Sequence, residues 1–270
     1  ASQHFFLPLR FHNPFEAVTT IDYDPHDLLT EQMRDAVGNL ITAGERDEND
    51  RLTTSGNDYR MLQPRLIMDA NRNRAAVAFD ALGMVVGTAV MGKPEESVGD
   101  SLDGFDADLT DKAAIDHLAN PFNAPHALLH HATTRLIYDL FVYLRTQAGP
   151  SPEPSVGCSL ARETQSSELP AGQHARIQQS CSYPDGFGRE IQKKIQAEPE
   201  TPGAPLRWGG SGWTIFNNKG KPVRQYEPFF SDLPPNDRHK FEFGKKIGVS
   251  PVLFYDPVER VIATLHPNHT

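Results

Sequence analysis

Short runs of β-branched and aromatic residues recur along the chain, each closed by an acid or amide and a Gly, Asn or Pro. Ala17–Tyr23 and Arg74–Phe79 lead into such corners, while Met84–Val90 and Arg260–Leu265 lead out of them. Runs of this composition between turn signals predict strands joined by hairpins, and so an antiparallel sheet. The corner is one phrase repeated: an apolar or aromatic position, Asp or Asn, two variable residues, Gly or an acid, then a long side chain. It stands at Tyr23–Leu28, Arg34–Asn39, Arg46–Arg51, Phe79–Met84, Phe216–Lys221 and Tyr255–Arg260. Tyr183–Arg189 holds a version with one extra residue, and Met68–Asn73 a weaker one. Asp24, Asp35 and Asp47 lie 11 and 12 residues apart, and Asp69 and Asp80 lie 11 apart, which is a hairpin rhythm.

Turn chemistry gives the phrase its physical content. Asp or Asn at the first corner bonds the backbone two residues on, and Gly takes a positive φ that other residues resist. Pro25 and Pro257 preset φ at the next position. The turn-setting residues are therefore Asp24, Asp35, Gly38, Asp47, Asp80, Gly83, Gly188, Asn217, Gly220 and Asp256. The fold class expected is mainly β, built from repetitive antiparallel hairpins, with a small helical insertion.

The insertion covers 93–132. Its first part, to about Asp108, is acidic and Gly-rich and reads as a surface loop. Leu109–Leu118 then reads as a helix with Thr110 as N-cap, ended by Asn120-Pro121. A second short helix starts at Asn123 or Pro125 and runs through Leu129, before a strand resumes at Arg135–Tyr138. The organisation expected is a β-hairpin segment over 1–92, the insertion, and a second β segment over 133–270. That last segment has Pro-rich loops near 149–154 and 198–205.

Composition narrows the function. The chain of 270 residues carries 26 basic and 35 acidic side chains, a net charge of −9, the wrong sign for a binder of phosphate backbones. No run of 18 apolar residues exists to span a bilayer. Cys158 and Cys181 lack metal spacing and read either as one bridge or as two unrelated thiols. The chain begins Ala1-Ser2-Gln3 without Met, shows no signal-peptide pattern, and stops at Asn268-His269-Thr270 just after a strand-like run. It reads as a piece of something longer.

Chemistry-bearing clusters are few. His126 and His130 are four apart, with His131 and Asp139 nearby, but Ala127 stands where a metalloprotease helix needs Glu. The plainer reading is two partly exposed histidines on a short helix. Gly209-Gly210-Ser211-Gly212-Trp213 precedes a strand rather than linking strand to helix, so it reads as a kink or tight turn, and no G-x-S-x-G elbow is present. Turn formation accounts for the repeated acids without calcium. The aromatics Trp208, Trp213, Phe216, Tyr226, Phe229, Phe230, Phe241, Phe243, Phe254 and Tyr255 read mainly as the inner layer of a curved sheet. Lys193-Lys194 and Lys245-Lys246 read as solvated pairs. No catalytic, cofactor or metal residue is assigned, and no enzyme is expected.

The repeated Tyr-Asp-x-x-Gly-Arg phrase resembles the Rhs/YD-repeat proteins. Ser182–Glu190, Gly212–Arg224 and Phe254–Arg260 look closely like the B subunit of bacterial insecticidal toxin complexes (the TcdB/TcaC group), as do Gly56–Pro64 and Phe79–Gly87. The resemblance runs through nearly the whole chain and is weakest in the insertion and around Gln147–Ser155. It implies a structural role as wall of a hollow β-sheet shell, which encloses the toxic C-terminal part of a C-type partner. The implied partners are the rest of the B subunit, the C-type subunit and, through a B propeller, the A pore subunit. It implies no nucleic acid, no direct membrane insertion and no cofactor. The implied location is secreted or extracellular, after synthesis in the bacterial cytoplasm. The chain departs from the pattern where Asp27-Leu28, Gly83-Met84 and Val142-Tyr143 replace the Gly-Arg pair. The alternatives are an extracellular YD-repeat module that binds glycan or protein, and a metal-dependent hydrolase centred on His126 and His130.

Overall fold

Each acidic corner reverses the chain, so successive strands fall beside one another in a meander. A computed structural model describes residues 4–170, 172–248 and 250–268; the chain ends Ala1–Gln3 and His269–Thr270 lie outside the described residues. The first strands are β1 (Arg10–His12), β2 (Val18–Tyr23), β3 (Thr30–Arg34), β4 (Leu40–Arg46) and β5 (Leu52–Ser55). Next come β6 (Asn57–Asp58), β7 (Gln63–Pro64), β8 (Leu66–Met68), β9 (Arg74–Phe79) and β10 (Val85–Met91). The insertion carries α1 (Asp111–Ala119) and α2 (Pro125–Leu129), followed by β11 (Thr134–Asp139) and α3 (Val142–Thr146). Then follow β12 (Val156–Arg162), β13 (Ile177–Pro184), β14 (Glu190–Ala197) and β15 (Arg207–Gly210). The last are β16 (Thr214–Phe216), β17 (Pro222–Gln225), β18 (Phe229–Phe230), β19 (Val252–Tyr255) and β20 (Val261–Leu265).

Fourteen of these strands form one sheet, ordered β1-β2-β3-β4-β8-β9-β10-β11-β12-β13-β14-β15-β18, with β5 also paired to β4. The hairpins β6–β7, β16–β17 and β19–β20 are separate two-stranded sheets. The chain folds as two compact units. One holds Ala1–Asp108, His126–Arg135 and Ala161–Ile177; the other holds Leu109–Pro125, Leu136–Leu160 and Gln178–Thr270.

In the first unit, register puts Ile21, Met33 and Ile41 directly opposite one another across β2, β3 and β4. Ala43, Ile67, Ala75 and Val90 line up in the same way across β4, β8, β9 and β10. Strand alternation turns these residues to one face and Leu40, Thr42 and Met68 to the other, which is buried. On the buried face, Arg46 donates from Nη2 to Asp69 O at 2.6 Å and from Nη1 to Thr42 Oγ1 at 3.2 Å. One edge of β4 is shared lengthwise, by β8 at Thr42 and Ala43 and by β5 from Gly44 to Arg46. Gly44 and Gly56 make that branch fit: a Cβ on Gly56 would meet Leu66 O at 2.2 Å and Gly44 N at 2.4 Å.

The second unit is built over the face of β12–β15 that carries Val156, Cys158, Cys181, Tyr183 and Trp208, with Val142 of α3 against them. Leu118 of α1 and Phe241 pack onto the same cluster. Thr110 caps α1 by accepting Ala113 N–H, while Asn120 N–H closes the far end on Asp116 O and His117 O. The described residues between β18 and β19 form no strand, and this segment crosses the buried face through Ser231, His239 and Glu242. Among the described residues no helix is long and apolar enough to cross a membrane.

The structure departs from the sequence at Val142-Tyr143, the site of a degenerate repeat. Tyr138-Asp139 ends a strand as the repeats do, and Asp139 Oδ1 accepts Phe141 N–H at 3.2 Å. The chain then winds into α3 instead of turning back, and Arg145 of that helix pairs with Asp139 Oδ2. Gly209 and Gly210 also lie within β15, not in a tight turn. A Cβ on Gly210 would sit 2.6 Å from the Phe229 ring, and one on Gly212 only 1.5 Å from Tyr226 O. Close approach, not a turn, is what requires them.

Candidate functional site

The feature that repeats is the acidic corner, and most of its copies share one hydrogen-bond pattern. Asp35 Oδ1 accepts Val37 N–H at 3.0 Å and Asn39 N–H at 2.8 Å. Asp47 does the same with Asn49 and Arg51, Asp69 with Asn71 and Asn73, and Asp185 with Phe187 and Arg189. Asn217 does so with Lys219 and Lys221, and Asp256 with Val258 and Arg260. Asp80 keeps the bond to Met84 N–H at 2.8 Å. Asp24 closes a loop one residue longer and accepts His26, Leu28 and Leu29 N–H, the last at 2.6 Å. The carboxylate or amide oxygen thus replaces the strand partner that the reversing backbone has lost.

Three residues after the acid, the backbone enters the left-handed region. Gly38, Gly83, Gly188 and Gly220 occupy that place with φ between 76° and 93°. Asp27, Asp50, Arg72 and Glu259 occupy it too, with φ between 55° and 69°. Those four side chains are held locally: Asp50 pairs with Arg34 at 3.0 Å, Arg72 with Glu95 at 2.8 Å, and Glu259 with Lys221 at 2.7 Å. Asp27 Oδ1 meets His4 Nδ1 at 2.8 Å. A bulge beside several corners, as at Asp22/Tyr23 and Glu45/Arg46, absorbs the extra residue.

Two corners escaped the sequence reading. Asn13 accepts Phe15 and Ala17 N–H, both at 2.9 Å, and Glu16 takes a φ of 61°. Asp58 accepts Arg60 N–H at 2.9 Å, and the left-handed residue comes one place later than elsewhere, at Leu62 with a φ of 52°. With these two, corners stand at 13, 24, 35, 47, 58, 69 and 80, steps of 11 with a single 12. Asn13-Pro14 and the fixed step were the signals that could have found them.

The corner acids are held as carboxylates. The Asn39 side-chain amide, with N–H groups of the turn, holds Asp35 below the usual range. The Arg51 N–H does so for Asp47 and the Arg260 N–H for Asp256. For Asp24, burial pushes upward, but the Leu29 N–H, the Tyr59 hydroxyl and two further N–H groups outweigh it. Burial likewise opposes the Asp185 carboxylate, and the Arg189 side chain prevails.

The second unit corrects the reading of the basic pairs. Lys194 is fully buried on β14 and pairs with the Glu242 carboxylate, which also accepts from Ser231 Oγ at 2.7 Å. Gln192, also buried, exchanges bonds with the Glu242 backbone, donating at 3.2 Å and accepting at 2.8 Å. Lys245 is likewise engaged, 2.7 Å from Asp232 and 3.4 Å from Glu242. Lys194 stands between Cys181 and Gly210 in register, and the missing side chain of Gly210 admits the Phe229 ring, 4.8 Å from the ammonium. Cys158 and Cys181 are joined as a disulfide between β12 and β13, closing the choice that the sequence left open. Of the C-terminal aromatics, Trp208 and Tyr226 are buried, whereas Phe243 is 82% exposed against Trp213.

The histidines meet one another instead of converging on a centre. The His126 ring stacks on His174 with centroids 4.7 Å apart, and His131 Nδ1 lies 2.9 Å from Ser166 Oγ. Among the described residues no three His, Cys, Asp or Glu side chains are grouped to hold a metal.

The whole chain superimposes on chains of a TcdB2-TccC3 crystal structure with a TM-score of 0.65 and 21% identity. For TcdB2-TccC3 without its hypervariable C-terminal region the values are 0.68 and 18%. A Photorhabdus luminescens Tc holotoxin pore matches over 93% of the chain, with a TM-score of 0.59 and 19% identity. The chain has the fold of these toxin-complex chains. It spans 12% of the first of them and 15% of the second. No family model and no curated protein sequence matches it.

Proposed function

We propose that the chain is a length of wall in a hollow β-sheet shell, contributed by the B-type subunit of a secreted toxin complex. The wall helps to enclose the toxic C-terminal region of a C-type partner before translocation. The observation that carries this reading is the corner repeated at steps of 11 or 12 residues from Asn13 to Asp80, in a chain that builds a 14-stranded sheet and matches toxin-complex structures over 100% of its length. A sheet extended strand by strand with one turn design grows in one direction, as a wall must, and each strand needs only its neighbours. The chain's part is mechanical: the corners fix register, and the disulfide and the Lys194–Glu242 pair stiffen the second unit. In this reading the remainder of the B-type subunit continues the wall, and its propeller reaches the A-type pore.

Protease protection tests the reading. The complete subunit that contains this chain is co-expressed with a C-type partner, and the complex is digested. Enclosure predicts that the C-terminal region of the partner survives while exposed loops are cut. Digestion of that region at the rate seen for the partner alone would refute enclosure.

A further inference from the structure

A second cluster, unrelated to the corners, lies in the first unit, where a cleft of about 380 Å3 is lined by His126, His130, His131 and His174. Three of them sit on or just after α2. His174 comes from the connection 163–176, which joins β12 to β13 and carries the 3-10 turn Ser166–Glu168. Gly99 N–H donates to Ser167 Oγ at 2.7 Å, Glu163 N–H closes the base of the connection on Arg176 O at 2.9 Å, and three contacts lie nearer the cleft. His126 stacks on His174, His131 Nδ1 meets Ser166 Oγ, and Asp100 Oδ1 accepts Ser166 N–H at 2.7 Å.

The charges around the cleft are unevenly supplied. Arg162 lies at its edge and donates to Ala132 O at 2.7 Å and to His130 O. The buried carboxylate facing it is Asp100, 3.4 Å from Arg162 Nε and already engaged by Thr133 Oγ1 at 2.6 Å. Glu163 lies 3.8 Å from Arg176, and Glu168 sits on the 3-10 turn. Any proton added to the stacked rings therefore places a cation beside Arg162 and a second imidazole, with the nearest buried carboxylate already committed.

We propose that the His126–His174 stack is a proton-operated latch that holds the connection 163–176 while the His126 imidazole is neutral and releases it when that ring is protonated. Burial, then His174 and Arg162, pull the His126 imidazole below the ordinary histidine range. A group whose folded pKa is depressed stabilises the closed state above its free pKa of about 6.5 and ceases to do so as pH falls. The latch is shut at neutral pH and opens in mild acid.

Hydrogen exchange on the whole chain, corrected for the intrinsic rate at each pH, reads the latch directly. Protection of peptides from 163–176 is expected to fall about tenfold between about pH 7.5 and about pH 5.5, with peptides from the β4–β5 hairpin unchanged. His126→Phe keeps a ring against His174 but takes no proton, and is expected to abolish that fall. His126→Gln provides the same reading should His126→Phe not fold. Equal wild-type protection at both pH values, an equal loss in the β4–β5 peptides, or an undiminished fall in the variants would each overturn the latch.

Discussion

Lys194 and Glu242 lie 48 residues apart and form a buried ion pair, with Ser231 and Lys245 completing the shell of the carboxylate. Burial pushes the Lys194 ammonium below its usual range, and Glu242 is the first group to oppose that. The pair joins β14 to the crossing segment that covers the core. Removing one partner strands the other charge, so Glu242→Ala is expected to destabilise the second unit by about 3–5 kcal/mol. The double change Lys194→Met/Glu242→Leu leaves no charge stranded and is expected to recover most of that loss. Urea unfolding followed by the fluorescence of Trp208 and Trp213 measures both, and a double variant no better than the single one would contradict the assignment.

At Asp185 the side chain makes two bonds to turn N–H groups and one to Arg189 Nε at 2.7 Å. Asp185→Ala leaves those N–H groups to water or to nothing and is expected to cost about 1–3 kcal/mol. Asp185→Asn retains the Oδ1 acceptor, as Asn217 does naturally, and is expected to lose less than half as much. The comparison of unfolding midpoints is diagnostic: equal losses would mean that charge, and not the turn bond, is what the corner requires.

The two kinds of glycine should separate cleanly. Gly38 has a φ of 93° and nothing within 4 Å of where its Cβ would be. Gly38→Ala therefore meets backbone strain alone, about 1 kcal/mol. Gly56→Ala would drive a Cβ into the carbonyl of Leu66 and the β4–β5 branch must open, with an expected loss above about 3 kcal/mol. Thermal unfolding of the two variants ranks them, and a Gly56→Ala protein as stable as Gly38→Ala would refute the branch geometry.

Legibility in the sequence followed the range of the interaction. The corners were readable because Asp, two spacers and a left-handed residue act within five positions, and Thr110 announced α1 for the same reason. Asn13 was passed over because Ala17 stands where the repeated phrase has a long side chain. Lys194 was unreadable for a different reason. Local alternation in Glu190–Ala197 would send Ile191 and Ile195 inward, yet Ile195 is 49% exposed and Gln192 and Lys194 are buried. That inversion is dictated by Glu242, far along the chain, and no window on β14 contains it. The His126–His174 stack belongs to the same class, since helical spacing suggested His130 as the partner of His126.

Cys158 and Cys181 close a separation of 23 residues and lie under Trp208, the first 3% and the second 1% exposed. A loop of that length is worth about 3 kcal/mol in the chain-entropy model. Alkylation under native conditions is expected to find no thiol even with a reductant present, and to find two once denaturant is added. The Cys158→Ala/Cys181→Ala protein should unfold at correspondingly lower urea. Rapid native-state alkylation after mild reduction would show that the bridge is not buried as described.

His239 supplies the pH dependence of the second unit. Its Nε2 lies 2.7 Å from Leu118 O and Trp208 packs against the ring, so the neutral form with a proton on Nε2 fits the site. Burial depresses its pKa, the Leu118 carbonyl opposing and Lys240 adding to the depression. A depressed histidine gives its full stabilisation above the unfolded value of about 6.5, and that contribution drains away as pH falls below it. The corner carboxylates of this unit, Asp185 and Asp256, are also depressed, so theirs persists down to about pH 3.9 and fails below it. Unfolding midpoints of the second unit should therefore fall in two separate steps on acidification. His239→Gln keeps a donor for Leu118 O but cannot titrate, so it should flatten the upper step and leave the lower one in place. A His239→Gln protein that loses stability between about pH 7 and about pH 5 as steeply as the wild type would place the upper step elsewhere.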